Sequence, residues 1–344
     1  MNAGTKLTAM FATFWKNNKW ILCGILLLCA AIALSLFGPN GSYAFTDFVK
    51  AVFSRRDADE VASLILWGVR LPRMLAGIFC GIGLSVAGYL MQESLNNRLA
   101  APSIMGINNG AGLFALIGIC LFQGGFVVRG LFSFFGAMVS ILLVWMISVY
   151  SGSRKSTMIL AGVAVSALMS SFTNLIITLR PDTVTDKTAF QLGSLQSIPV
   201  SLLTMTAVCV VIGTIFAVLL APGIELLSLG DEMAQGLGLS VKACRYTAVF
   251  LAAFLSAAAV ASCGLISFVG LIIPNLVRRM EQERSRTQVL LCGIWGGALV
   301  LFADTLARIL FYPYELPVGM ILSLLGAPFF IVMIAFRRRR MRLG

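Results

Sequence analysis

Three sets of ionisable residues stand apart from an otherwise apolar chain. Arg70 and Arg73 occur as Arg-Leu-Pro-Arg at the start of a long uncharged run, and Asp304 and Arg308 lie one helical turn apart at the end of another. Asp304 can pair with Arg308 at that spacing, or the arginines can snorkel to headgroups. Taken together, Arg70, Arg73 and Arg308 also form a positive rim suited to an acidic partner. The third set is Asp231 and Glu232, inside Leu226–Ser240 (LLSLGDEMAQGLGLS). Ser228 or Gly230 can cap a helix there, placing both carboxylates in the first turn, where the macrodipole favours negative charge. Gly236 and Gly238 suit its end. Leu229, Met233 and Leu237 recur at helical spacing, so this short helix lies on a membrane surface or docks into a groove on a partner.

Other chemistry is excluded by what the chain lacks. It contains no histidine, which removes a Ser-His-Asp triad, an HExxH zinc helix and His-ligated metal or haem. The eight cysteines form no CxxC pair, and all but Cys244 lie well inside apolar runs, as small hydrophobes do. A metal site, a bound cofactor and enzymatic activity are therefore not expected. No GxxxxGK[ST] phosphate loop is present, so ATP is not bound by that route. No acidic residue falls in the middle of an apolar run, where a proton or sodium relay needs one.

The elements that carry these residues follow from composition. Of 344 residues, 59 % are hydrophobic and 12 % charged, about half the charge of a soluble domain. Soluble, disordered and nucleic-acid-binding classes are excluded, and the net charge of +12 reads as membrane topology. Cutting the sequence at its charges leaves nine long uncharged runs. Both ends are basic, Lys6, Lys16 and Lys19 at one and Arg337–Arg340 with Arg342 at the other, so both are expected in the cytoplasm and the crossings must be even. The run Tyr246–Val277 resolves the conflict if it goes out and returns, with a short second arm, a turn near Gly264–Gly270, and Pro274 in or near that arm. Such irregular backbone is tolerated at membrane depth only under protein or beside a water-filled cavity, so the broken hairpin hints at a transport path. The expectation is an all-α integral membrane protein of about ten transmembrane helices, a single permease domain over 1–344. Its spans fall near 18–38, 70–92, 102–122, 129–150, 157–178, 200–221, 243–263, 267–279, 288–306 and 318–336, with a cytoplasmic loop at 222–242. Seventeen Lys and Arg then fall inside and nine outside. Ser42-x-Ala44 resembles a signal-peptide cleavage site, but the run before it exceeds a typical h-region of about 7–15 residues, which favours a retained first helix.

These motifs, in this order, resemble the FecCD family, the permease subunits of bacterial ABC importers for iron–siderophore complexes, haem and cobalamin. The resemblance covers roughly Arg70 to Phe330. It rests on Arg70–Arg73, Gly88 with Gln92, Asn97-x-Leu99-Ala100-x-Pro102, Gly193-Ser194, Leu227–Gly238, Gly264–Arg278 (GLISFVGLIIPNLVR), Ala303-Asp304-x2-Ala307-Arg308, Glu315–Gly319 and Gly326–Phe330. The chain departs from the family at Arg98, Ala101, Asn275 and Leu322, where the family usually has Pro, an acidic residue, His and Thr. The resemblance implies a permease that pairs with a second permease subunit, identical or paralogous, binds two ATP-binding subunits and receives cargo from an extracytoplasmic substrate-binding protein, all in a bacterial cytoplasmic membrane. Leu227, Leu229, Gly230, Asp231, Glu232, Met233, Gly236 and Gly238 match the ATPase-coupling helix, and Arg70, Arg73 and Arg308 the arginines that dock the binding protein. Gly264, Phe268, Gly270, Pro274 and Asn275 belong to the broken hairpin beside the translocation path. The implied cargo is a ferric siderophore, with haem or cobalamin as alternatives; a gradient-driven secondary transporter is the competing class.

Overall fold

Small residues at close spacing dictate how this chain packs, because apolar side chains gain little by leaving lipid for one another and helices associate through van der Waals fit. The computed structural model describes residues 3–37, 60–122, 125–152, 155–181, 188, 190–281, 285–310 and 314–342. The Ser42-x-Ala44 stretch and the side chains of Lys6, Lys16 and the C-terminal arginines lie outside what it describes.

Every regular element among the described residues is helical. Ten helices have twelve residues or more: α1 (Ala3–Phe37), α2 (Leu71–Ser94), α3 (Ile107–Phe122), α4 (Phe126–Tyr150), α5 (Lys155–Leu179), α6 (Val200–Ser228), α7 (Val241–Cys263), α8 (Val269–Met280), α9 (Ser285–Ile309) and α10 (Val318–Arg342). Seven stretches are long and apolar enough to cross a membrane, and α3 and Val318–Met333 of α10 are shorter apolar helices. The chain is a multi-pass membrane protein. Helix α8, at 12 residues, is about 18 Å long and cannot span a hydrocarbon core of about 30 Å.

Burial separates the helices into two sets. In Ser63–Ser94, Val241–Cys263 and Ser285–Ile309, 78 %, 72 % and 67 % of residues are buried, against 28 % in Lys155–Leu179. Helices α2, α7 and α9 thus form the interior, and exposed Leu, Val and Phe side chains cover the outer helices. Helix α2 is the axis, and its glycines let it be approached from two sides. A Cβ on Gly81 would stand 2.3 Å from the Gly296 carbonyl oxygen of α9, and one on Gly88 would stand 2.0 Å from that of Gly270 in α8. Ser85 closes the first contact by donating to the Cys292 carbonyl (2.6 Å).

Pro72 at the second position of α2 has no N–H to give to the preceding turn. The chain before it, Leu66–Arg70, winds as a π-helix in which the Leu71 N–H reaches back to the Leu66 carbonyl. This π turn continues from a helical turn at Glu60–Ile65 and carries Arg70. The link from α7 to α8 is as compact as the hairpin argument requires. Gly264 (φ +72°) ends α7 and Phe268 (φ +69°) precedes α8, while Leu265 N–H donates to the Phe190 carbonyl (3.0 Å) and Ser194 N–H to that of Cys263 (2.9 Å).

Candidate functional site

The arginines at the start of α2 and the end of α9 do not form an exposed rim. Arg70, Arg73 and Arg308 are 5 %, 7 % and 5 % exposed, so their charges are packed within the chain rather than spread over its surface. Arg73 donates to both oxygens of Asp304 (Nε to Oδ2, 3.0 Å; Nη2 to Oδ1, 2.9 Å) and to Glu315 Oε2 (2.6 Å). Asp304 therefore pairs chiefly with Arg73 across two helices. Its contact with Arg308, at 3.7 Å, is the longer one. Arg308 donates to the Ser35 carbonyl (3.0 Å) and Arg70 to the Leu36 carbonyl, which ties the end of α1 to this cluster. Glu315 is the open member, its side chain 38 % exposed, and it also accepts from Gln196 (2.6 Å). Burial pushes the Glu315 carboxyl up, but the hydrogen bonds from Arg73 and Gln196 and the charges of Arg73 and Arg308 outweigh it and hold it below the ordinary glutamate value.

At the opposite end of the bundle lies the short helix Asp231–Gly236. Gly230, at φ +107°, starts it in a conformation that side chains resist; Ser228 does not cap it but donates to the Glu225 carbonyl (2.7 Å). Leu229, Met233 and Leu237 are 52 %, 61 % and 61 % exposed, so the apolar stripe is presented outward. Glu232, Gly236 and Gly238 are exposed beside it. Leu227 is buried within α6, so it is not part of that surface.

Asp231 faces its own subunit. Its Oδ1 accepts from Lys155 (2.8 Å) at the start of α5 and from Arg245 (2.6 Å) near the start of α7. Burial raises the Asp231 carboxyl, but hydrogen bonds and charge from Arg245 and Lys155 win and hold it below the ordinary aspartate value. Arg245, 4 % exposed, also donates through Nε to the carbonyl of Ser94, the last residue of α2 (3.0 Å). One guanidinium thus joins the short helix to the axial helix. The same end of α2 grips α8. Gln92 donates to the Gly270 carbonyl (2.9 Å), Glu93 pairs with Arg278 (2.6 Å), and Asn275 donates to the carbonyls of Leu271 (2.8 Å) and Arg98 (3.2 Å).

The hairpin residues form a packed joint in this conformation. Gly264, Pro274 and Asn275 are buried, and Phe268 and Gly270 half-buried. The Phe268 ring rests where a side chain at Gly326 of α10 would stand. A small cleft of about 40 Å³ lies beside them between α3, α5 and the segment Phe190–Gln191, and the hairpin touches it at Leu265. Sequence reasoning did not find this cleft, nor the roles of Lys155, Glu93 and Arg245. Polar residues at Asn108, Asn109 and Gln191 were its only written signal.

Comparison with known proteins places this architecture. The FecCD transport family model matches residues 25–336, and the chain belongs to that family of ABC-transporter permease subunits. It is 33 % identical over 310 residues to the Fe(3+)-citrate import system permease protein YfmD of Bacillus subtilis (strain 168), covering 90 % of this chain and 92 % of that one. It is 34 % identical over 281 residues to the iron(3+)-hydroxamate import system permease protein FhuG of the same organism, covering 79 % and 83 %. A solved inward-facing structure of a putative metal-chelate type ABC transporter superposes with a TM-score of 0.81 at 26 % identity, covering 92 % of this chain and 99 % of that one.

Proposed function

We propose that this chain is the membrane-spanning subunit of an ATP-driven importer in a bacterial cytoplasmic membrane, with both termini in the cytosol, and that it carries a ferric-siderophore complex handed over by a substrate-binding protein. Two copies, or one copy and a paralogue, enclose the path, and two ATP-binding subunits dock below. The observation that carries this reading is the short helix Asp231–Gly236. It turns an apolar stripe outward while Asp231 fastens it to Arg245 and Lys155, and Arg245 to the end of α2. A surface that is apolar outside and tethered inside through Asp231 suits the transmission of movement from a partner. Leu229, Glu232 and Met233 make the contact with the ATPase, and Gly230, Gly236 and Gly238 set the turns around it. Movement passes through Arg245 to α2, and from Gln92 and Glu93 to the hairpin of Gly264, Phe268, Gly270, Pro274 and Asn275, which flanks the path.

At the outer end, Arg70, Arg73 and Arg308 are the docking cluster. Arg73 and Arg308 face the carboxylates of Asp304 and Glu315 and Arg70 holds the Leu36 carbonyl beside them, leaving a positive balance that draws acidic side chains of the binding protein. Those side chains compete with the exposed Glu315 for Arg73.

The test is copurification of this chain with an ATPase and a binding protein encoded beside it, followed by reconstitution into liposomes. ATP-dependent accumulation of radiolabelled ferric siderophore is expected. Accumulation by this chain alone, without ATP, overturns the reading in favour of a gradient-driven carrier. Uptake of haem or cobalamin in place of ferric chelates overturns the cargo and keeps the machine.

A further inference from the structure

The chain that leads from α5 into α6 is bound to more of the molecule than a connection needs to be. Phe190, Leu195 and Ile198 are buried, and a Leu195 methyl packs 3.3 Å from where a Cβ on Gly77 of α2 would stand. The backbone here crosses two others at close range. The Phe190 carbonyl accepts from Leu265 N–H (3.0 Å), Ser194 N–H donates to the Cys263 carbonyl (2.9 Å), and Gly319 N–H of α10 donates to the Gly193 carbonyl (3.3 Å). Each of the three segments brings a glycine to the crossing. A Cβ would stand 2.7 Å from the Leu265 carbonyl oxygen at Gly193, 2.5 Å from that of Phe190 at Gly264 and 2.2 Å from that of Leu192 at Gly319. Segment 190–198 is therefore a strap laid across the link from α7 to α8.

The Gln196 amide ties this strap to the ionic cluster. It donates to Glu315 Oε2 (2.6 Å), the same oxygen that accepts from Arg73 Nη1 (2.6 Å). Arg73 is fixed in turn by Asp304, so the connection runs from the strap through Gln196 and Glu315 to the interior helices α2 and α9. Gln196 and Ser197 are exposed, so core packing does not demand an amide at 196. The turn that presents it is strained. Ser197 lies at φ +52°, in the left-handed region that a residue with a Cβ resists, and Ser194 Oγ braces the turn by accepting from Gln196 N–H (3.2 Å). Such a conformation persists only while its surroundings hold it. An acidic side chain arriving at Arg73 displaces Glu315 and takes away the anchor of Gln196. The exposed hydrogen bond yields cheaply, because water replaces the lost partner.

We propose that Gln196 is a positioning residue: it holds the strap 190–198 across the hairpin while Arg73 keeps Glu315, and docking of a binding protein on Arg73 releases the strap and with it the link 264–268. The proposal rests on the importer reading and adds the step that carries docking from the arginine cluster to the hairpin. The test uses the full-length permease assembled with its ATPase in lipid nanodiscs, and the binding protein encoded beside it as the probe. Hydrogen exchange, read by mass spectrometry in peptides covering 190–198 and 263–268, is expected to quicken when the binding protein docks on wild type. Gln196→Leu is expected to keep the wild-type unfolding temperature and to show that faster exchange with no binding protein present. It is also expected to raise unstimulated ATP hydrolysis about threefold, since one solvent-exposed hydrogen bond is lost. By linkage the same variant takes up the binding protein about threefold more tightly, with unchanged salt dependence, because the amide carries no charge. Adding Gln196→Leu to Glu315→Ala changes exchange and hydrolysis no further, because the tether is already cut. Unchanged exchange on docking, or wild-type exchange and hydrolysis in Gln196→Leu, overturns the proposal. So does a full effect of Gln196→Leu in the Glu315→Ala background. A lowered unfolding temperature with hydrolysis at or below wild type makes Gln196 a simple prop and overturns it as well. Docking and stimulated hydrolysis in the wild-type assembly separate the two readings. If both occur while the strap stays unchanged, this proposal alone falls; if neither occurs, the importer reading falls and takes the proposal with it.

Discussion

The two ionic clusters at opposite ends of the bundle use the same chemistry to different ends. In the Arg73–Asp304 cluster the shared carboxylate is 1 % exposed, and it is held between two interior helices. In the Asp231–Arg245 cluster the shared carboxylate is 44 % exposed, and it joins a six-residue surface helix to the bundle. A buried pair is held by the penalty of separating it, because either charge left alone at low dielectric is expensive. In the second pair water reaches the Asp231 carboxylate while the Arg245 guanidinium stays buried, so the carboxylate end can exchange its partner for water at modest cost. The first arrangement is a staple and the second is a joint. The proposed importer uses both: a firm frame at one end on which to dock, and a linkage at the other that moves.

The staple predicts the largest effect. Asp304→Ala leaves Arg73 and Arg308 without their buried carboxylate and is expected to cost about 3–5 kcal/mol, seen as a large fall in unfolding temperature in detergent or as lost expression. A variant as stable as wild type would show that the outer cluster is solvated and not a staple. The joint predicts a functional loss with the fold intact. Arg245→Ala is expected to reduce ATP-driven uptake at least about tenfold, given two charge-assisted hydrogen bonds, while ATP hydrolysis by the assembly continues. Arg245→Lys recovers part of it at most, since one ammonium does not reproduce a fork that reaches both Asp231 and the Ser94 carbonyl. Equal losses of hydrolysis and transport would instead make Arg245 a simple prop.

A smaller effect separates docking from stapling at the outer end. Glu315→Gln removes an exposed competitor for Arg73 and is expected to tighten binding-protein affinity a few-fold, with less dependence on folding than Asp304→Ala; titration of labelled binding protein against nanodiscs reads it. Weaker docking in that variant would make Glu315 itself a contact.

The smallest effect is the pH dependence of the joint. The Asp231 carboxyl is held below its ordinary value in the folded protein, so its contribution is present above the unfolded aspartate value and is lost as pH falls through the lowered folded value. Coupled uptake is expected to be flat near neutrality and to fall only under acid conditions, and Asp231→Asn is expected to remove that acid limb. An acid limb unchanged in Asp231→Asn would assign it to another group.

Much of this molecule is legible in one dimension. The lipid requirement for long uncharged helices puts long apolar helices in the gaps between charges, and the short helix α8 follows α7 where the charge conflict around Tyr246–Val277 calls for a short second arm. The outward stripe of Leu229, Met233 and Leu237 follows from helical periodicity alone. Burial of the arginines was not legible, because an exposed rim and a buried staple use the same residues at the same positions. The difference lies in whether Asp304 meets Arg308 along its own helix or Arg73 on another, 231 residues away in sequence.

The same limit applies to function. Local spacing and composition suffice for helices and family, since each depends on neighbours within a few turns or on the solvent around a segment. Which carboxylate holds which arginine, and that Asp231 turns inward to Lys155 and Arg245, depend on separate helices being brought within hydrogen-bonding distance. Glycine contacts such as Gly88 on Gly270 set that approach, and no periodicity along the chain encodes it.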